Sequence, residues 1–191
     1  RAESATVVVS IFVNPAQFGP SEDLASYPQD IKHDLEMLEQ EGVDVVFAPP
    51  VSEIYPCGHS TYVEVGDVGA RLEGKHRPGH FRGVATVVAK LLSIIRPDRS
   101  YFGQKDGQQV IVIKRLVREL NLGTKVTVVP TVREPDGLAM SSRNTYLTDE
   151  ERRAAPVLYR ALVYAKELWD AGQAGADTLR GGMRALISNE P

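Results

Sequence analysis

Cysteine is almost missing from this sequence. Cys57 is the only one in 191 residues, so no disulfide can close within the chain, and a reducing, cytoplasmic setting is the expectation. Long apolar runs are missing too. None reaches the roughly 20 residues of a membrane span, so no membrane partner is expected. An excess of one charge is also lacking. The formal net charge of −3 gives no broad cationic footprint for a phosphate backbone, and no nucleic-acid partner is expected. A lone cysteine and four histidines without a second close His pair argue against a structural zinc site. Internal repeats and low-complexity tracts are absent.

What is present is the balance of an ordinary globular protein: 42% hydrophobic and 25% charged residues, in a length that can bury a sizeable core. No signal-peptide pattern opens the chain. It starts Arg1-Ala2-Glu3 without Met and ends Ser188-Asn189-Glu190-Pro191 straight after a helical pattern, which reads as a piece of a longer protein.

Thr6 to Val13 is a β-branched and apolar run and predicts a strand buried on both faces. A loop, Asn14 to Pro20, follows it. Ile31, Leu35 and Leu38 mark one face of a helix that Gly42 can stop. Val43 to Phe47 predicts a second strand, and Tyr62 to Val65 a short edge strand. Arg71 to Gly83, rich in charge, His and Gly, predicts a loop or short turn, and Glu73, Lys75, His76, Arg77 and His80 within it a solvated flap able to close over a substrate. Val84 to Ile95 predicts a buried helix stopped by Pro97. Ser100 to Phe102 is a third strand. Gln108 to Leu120 is a helix with Val110, Ile113, Leu116, Val117 and Leu120 inward, and Val126 to Val129 is a fourth strand. This alternation predicts an α/β fold: a Rossmann-like parallel sheet with flanking helices over residues 1–131. Beyond Val132 the character changes. Pro135-Asp136-Gly137 predicts a hairpin tip. Thr148 and Glu151 have capping-box spacing, and helices broken near Pro156 follow. Residues 132–191 read as a smaller, incomplete C-terminal domain, a lid.

Three stretches carry candidate chemistry. Gly103-Gln104-Lys105-Asp106 lies between a predicted strand and a predicted helix, where helix N–H groups and an added ammonium stabilise an anion. A surface charge pair explains the same residues without a ligand. Met140-Ser141-Ser142-Arg143 offers hydroxyls and a guanidinium suited to phosphates, or a polar loop after a hairpin. Asn14 and Gln17 are amides at a strand end and can orient a hydroxyl or carboxylate, although Asn-Pro also simply starts turns. Gln108 and Gln109 fit a helix surface equally well. Ligands in parallel α/β folds sit beyond the carboxyl ends of strands, where two of these stretches fall.

Asn14-Pro15-Ala16-Gln17-Phe18, Tyr27-Pro28, Glu73-Gly74, Arg77 to Val84, Phe102 to Asp106 with Gln108-Gln109, and Met140 to Asn144 occur in one order over most of the chain. Together they closely resemble the pantoate–β-alanine ligase family, within the His-x-Gly-His nucleotidyltransferase superfamily. The resemblance implies condensation of pantoate with β-alanine, with ATP and Mg²⁺, through a pantoyl adenylate, releasing AMP and pyrophosphate. It implies a cytoplasmic homodimer in coenzyme A precursor biosynthesis. It assigns Lys105, Ser141, Ser142 and Arg143 to catalysis. Gly103, Gln104, Lys105, Asp106, Val132, Met140, Ser141, Ser142 and Arg143 bind the nucleotide, with Lys105 and the two serines converging on one triphosphate. Gln17, Gln109 and Asn14 bind pantoate or border β-alanine. The Mg²⁺ ligands are not assigned.

Two departures stand beside the resemblance. The family's His-x-Gly-His motif is absent, and His33, His59, His76 and His80 do not replace it, so this stretch alone is expected to be nearly inactive. Gly107 stands where the family has a larger residue, which loosens a helix start. The alternatives are another nucleotidyltransferase of the same superfamily, acting on a phosphorylated alcohol, or a catalytically dead fragment that dimerises through Val7 to Val13. Amides at 17 and 109 suit a hydroxyl and carboxylate substrate better than a phosphorylated one.

Overall fold

The structure, a computed structural model, describes residues 3–190. The chain divides into two compact units, Arg1–Val129 and Pro130–Pro191, taken separately below. In the first unit β1 (Val8–Ser10), α1 (Ile31–Gln40), β2 (Val45–Phe47), α2 (Val51–Ile54), α3 (Glu73–His76), α4 (His80–Ile95), β3 (Arg99–Gly103), α5 (Gly107–Glu119) and β4 (Lys125–Val129) follow in order. All strand pairing is parallel, Val8 opposite Val45 and Arg99 opposite Lys125. The α/β class with parallel strands and flanking helices is as expected. The described strands pair as two separate ribbons, β1 with β2 and β3 with β4.

The core explains which helices matter. Phe81, Val84, Ala85, Val88 and Leu92 of α4 meet Val112, Ile113 and Leu116 of α5, and Ile54 of α2 belongs to the same cluster. An apolar stripe on each helix buries against the other, and burial of such side chains supplies most of the stabilisation, about 1.5–3 kcal/mol each. Gly42, with φ 70, closes α1 in the left-handed conformation that glycine adopts without strain, as Val43 N–H reaches back to the Leu38 carbonyl.

Several expectations need correction. β1 is three residues long and half-buried at best, because it pairs on one side only among the described residues. Ile31 and Leu35 of α1 are largely exposed; the periodicity is present but α1 buries no residue. Tyr62 to Val65 pairs with no strand; the Val63 N–H is satisfied instead by the Thr86 hydroxyl at 2.9 Å. The 71–83 segment is solvent-exposed over most of residues 71–79, as expected, but it is an anchored, folded element rather than a free flap. It holds α3, and α4 begins at His80, which is buried with Phe81 and Gly83. Leu120 is exposed at the end of α5, and Val112 takes its place inside.

In the second unit the expected hairpin forms. Gly137 N–H closes a turn on the Glu134 carbonyl at 2.9 Å, and Glu134 N–H meets the Leu138 carbonyl at 2.8 Å. Gly137 has φ 93, and a Cβ there would lie 2.0 Å from the Tyr159 ring, so geometry and space both demand glycine. Helices α6 (Asp149–Ala154), α7 (Val157–Asp170) and α8 (Ala176–Ile187) follow. The Thr148 capping box at α6 is complete in both directions. No described helix is long and apolar enough to cross a membrane.

Candidate active site

The loops leaving β1 and β2 bring Asn14 and Tyr55 together. Parallel pairing sends both loops off the same end of the ribbon. Asn14 is buried, and its side-chain amide has every position filled. Oδ1 accepts from Ala16 N–H at 3.3 Å and from the Tyr55 hydroxyl at 2.8 Å. Nδ2 donates to the Gly83 carbonyl and to Gln17 Oε1, each at 3.1 Å. Gln17 ends the 3₁₀ turn Pro15–Gln17 that Asn14 caps.

That turn lies on α4 at its closest approach. A Cβ on Gly83 would stand 2.2 Å from the Ala16 carbonyl oxygen, so only glycine lets the two backbones meet. His80, one turn earlier, places Nδ1 2.9 Å from the Gln17 carbonyl oxygen. A carbonyl only accepts, so Nδ1 carries the proton, and Nε2 faces Arg77 Nη1 at 3.5 Å as an acceptor. Burial, with Arg77's charge added, holds this imidazole below its ordinary range, against an opposing pull from the Gln17 hydrogen bond. Arg77 forms a two-pronged ion pair with Glu22, Nε to Oε1 at 2.8 Å and Nη2 to Oε2, and reaches Glu73 Oε1 at 3.4 Å. The hydrogen bond from Arg77 holds the Glu22 carboxyl below its usual value.

The second group lies where β3 runs into α5, the helix that packs on α4. Gly103 ends the strand, Gln104–Asp106 makes one 3₁₀ turn, and α5 starts at Gly107. Lys105 Nζ stands 3.3 Å from Asp106 Oδ1, both exposed. An exposed pair of this kind contributes little, about 0–1 kcal/mol, so it does not withhold the ammonium from a ligand. Gly107 has helical dihedrals, φ −56 and ψ −38, so the unusual glycine leaves the helix start intact. Gln108 donates to the Val68 and Arg71 carbonyls at 2.9 and 2.7 Å and accepts from Glu73 N–H at 3.0 Å. It is a tether rather than an idle surface residue. Gln109 is half-buried.

In the second unit the hairpin sets Val132 against Met140, whose N–H meets the Val132 carbonyl at 3.0 Å; both side chains are exposed. Ser141 caps the 3₁₀ stretch Ser142–Tyr146 by accepting from Arg143 N–H at 3.3 Å. Asn144 Nδ2 anchors the turn to the Ala139 carbonyl at 3.0 Å. An open depression of about 580 Å³ is lined by Glu134, Met140, Ser141, Ser142, Asn144 and Thr145. The expected residues thus fall into three local groups. Sequence reasoning missed Tyr55, which has no motif around it, and the tethering by Gln108, which depends on backbone groups some 40 positions away. Among the described residues no group of three or more His, Cys, Asp or Glu side chains could hold a metal ion.

Fold and site define a parallel α/β protein with polar side chains gathered in the loops that leave the strands' carboxyl ends, where this class binds small molecules. The pantoate-beta-alanine ligase family model matches residues 1–191, and the chain belongs to that family. It is 60% identical to the pantothenate synthetase of Roseiflexus sp. (strain RS-1) over all 191 residues, which span 69% of that relative. It is 59% identical to the pantothenate synthetase of Chloroflexus aggregans (strain MD-66 / DSM 9485), again over 69% of the relative. The crystal structure of the Thermus thermophilus pantothenate synthetase is similar with a TM-score of 0.92 and 54% identity, over 98% of this chain and 68% of that one. A Francisella tularensis pantoate-beta-alanine ligase, complexed with beta-gamma ATP and beta-alanine, is similar with a TM-score of 0.82 and 39% identity, over 97% and 69% of the two chains.

Proposed function

We propose that this protein joins pantoate to β-alanine at the expense of ATP, through a pantoyl-adenylate intermediate. The observation that carries the reading is the Francisella relative, whose fold is matched over 97% of this chain and which is described with a β-γ ATP and β-alanine bound. The polar groups around Gln17 and Lys105 support it.

A carboxylate is a poor acyl donor. In the first step one pantoate carboxylate oxygen bonds to the α-phosphorus of ATP, and the bond to the β-phosphate oxygen breaks, releasing pyrophosphate. In the second step the neutral amine of β-alanine bonds to the acyl carbon, the bond to the AMP oxygen breaks, and the amine loses a proton. Negative charge grows on phosphoryl oxygens and departing pyrophosphate, so fixed cations lower the barrier. Lys105 is proposed for that role, with the α5 start and Asp106 beside the nucleotide. Ser141, Ser142 and Arg143 are proposed as phosphate ligands, Val132 and Met140 as adenine neighbours, and Gln17 and Gln109 as pantoate ligands. The donor set among the described residues offers no protein cage for Mg²⁺; the ion would enter as the counter-ion of the ATP substrate, held by phosphate oxygens and water.

Gln17 carries an amide where a phosphorylated alcohol would call for a cation, which favours pantoate over the substrates of related nucleotidyltransferases. The test is exchange of labelled pyrophosphate into ATP by the protein carrying this sequence. Exchange is expected only with pantoate present. Exchange without it, or equally with an unrelated acid, rejects the substrate.

A further inference from the structure

We infer that Tyr55 is a positioning residue: its hydroxyl, acting through Asn14, turns the Gln17 side-chain amide so that Nε2–H donors face outward. The inference deepens the reading of Gln17 as a pantoate ligand and rests on that reading for the identity of the ligand.

Donors and acceptors around Asn14 leave one solution. The Gly83 carbonyl can only accept and the Ala16 N–H can only donate. Asn14 therefore directs Nδ2 to Gly83 and Oδ1 to Ala16. The second Oδ1 lone pair takes the Tyr55 O–H at 2.8 Å, and the second Nδ2 proton goes to Gln17 Oε1 at 3.1 Å. With its oxygen held inward, Gln17 turns its NH₂ away, and Nε2 has no partner among the described residues. His80 fixes the backbone carbonyl of the same residue. Gln17 is thus held at both ends and presents donors alone. That suits an oxygen ligand with lone pairs, such as a carboxylate or the oxygen of a hydroxyl, and disfavours a cation.

Tyr55 is the remote end of this chain of bonds. It directly follows α2, and its ring packs between Phe12 and His59. A phenol is already protonated at neutral pH, and burial pushes this one up to about 12, so the O–H is present as a donor. Without it, Asn14 Oδ1 keeps only the longer bond from Ala16 N–H at 3.3 Å, and the amide is held less firmly in a buried site.

The experiment uses Tyr55→Phe, which removes one oxygen and keeps the ring, so packing survives. Side-chain amide hydrogen exchange of Asn14 and Gln17, read by ¹⁵N NMR, is the first readout and needs no activity. Exchange at Asn14 Nδ2 is expected to be about ten-fold faster in the variant, the loss of one hydrogen bond. The second readout is the KM split: KM for pantoate should rise about ten-fold while KM for ATP holds. Unchanged Asn14 exchange with unchanged KM for pantoate overturns the inference. So does a lower melting temperature with neither readout altered, because that is a purely structural role. If the parent protein shows no pantoate dependence, the substrate reading fails, and the positioning of Gln17 still stands or falls on amide exchange alone. Asn14→Asp supplies a contrast: a carboxylate accepts from Tyr55 but cannot donate to Gln17 Oε1, so Gln17 should turn Nε2 toward it and KM for pantoate should rise; an unchanged KM counts against the inference.

Discussion

Gln108 bridges Leu72: its amide meets the carbonyl of Arg71 on one side of that residue and the N–H of Glu73 on the other. Leu72 sits at φ 47, ψ −118, a conformation glycine adopts freely and a branched side chain resists. The strained peptide is held by a side chain from the first turn of α5, directly beside Gln109. Gln108→Ala removes a partner from the Val68 and Arg71 carbonyls and from the Glu73 N–H, of which the Arg71 carbonyl keeps the Gly74 N–H. Solvent can reach part of this site, so a loss of about 1–2 kcal/mol is expected. Leu72→Gly should be tolerated within about 1 kcal/mol, relief of strain offsetting the added freedom of the unfolded chain. Leu72→Val should destabilise, because β-branching is poorly tolerated there. Urea midpoints at constant m report all three. Equal midpoints for the Gly and Val variants would show that the dihedral carries no strain.

Gly83 and Gly107 make opposite cases. A Cβ at Gly83 meets backbone atoms, the Ala16 carbonyl at 2.2 and 2.4 Å and the Gln17 nitrogen at 2.6 Å. Backbone cannot swing aside as a flexible side chain can, so Gly83→Ala should cost about 1–3 kcal/mol or more and should shift Gln17. Nothing lies within 4 Å of a Cβ at Gly107, and its dihedrals are already helical. Gly107→Ala should raise stability by up to about 1 kcal/mol. Thermal melts of the two variants check both signs. A stable, active Gly83→Ala protein would mean that α4 can retreat from the 3₁₀ turn.

Much of the first unit was legible because its signals are local. The stripe Val110, Ile113, Leu116 has helical period, Gly42 and Pro97 punctuate, and the alternation of strands and helices limits the topology. In the second unit, Thr148 with Glu151 needed only three residues of spacing. The 71–83 segment was misread because its order comes from distant partners: Gln108 for the backbone at Arg71 and Glu73, Glu22 for Arg77, the Gln17 carbonyl for His80. Composition says polar, and only tertiary bonds make it ordered. Asn14 is legible in the sequence as a polar group at a strand end. Its commitment to four internal partners depends on Tyr55 and Gly83, 41 and 69 positions away, which no local pattern encodes.

Acid should weaken the first unit in two stages. Burial, then Arg77's charge, holds the folded pKa of His80 below 6.5. The unfolded chain therefore binds that proton more readily. The contribution is complete above about pH 6.5 and is lost as pH falls through the folded pKa. The hydrogen bond from Arg77 holds Glu22 below 4.5, so its contribution is present above that value and lost as pH falls through its own folded pKa. Arg77, Glu22 and Glu73 are the charged groups around the imidazole. His80→Gln should abolish the upper stage and leave the lower one, as read from urea midpoints between about pH 7.5 and 2.5. A variant that keeps the full pH profile would place the upper stage on another group.

Lys105 offers the sharpest separation of function from folding. Its ammonium pairs with Asp106, and both side chains are exposed, so Lys105→Ala should change stability by less than about 0.5 kcal/mol. If the ammonium follows charge onto the phosphoryl oxygens, its loss costs about 3 kcal/mol in the transition state, a rate reduced by hundreds-fold. Lys105→Arg keeps the charge but replaces a compact ammonium with a planar fork, and intermediate activity is expected. Asp106→Asn keeps the ammonium but removes the carboxylate proposed beside the nucleotide, so weaker nucleotide affinity with unchanged stability is expected. Pantoate-dependent pyrophosphate exchange and melting temperature, measured together on the three variants, decide the matter. Near-normal exchange in Lys105→Ala, with an unchanged melt, would move the phosphate-binding role away from the β3–α5 junction.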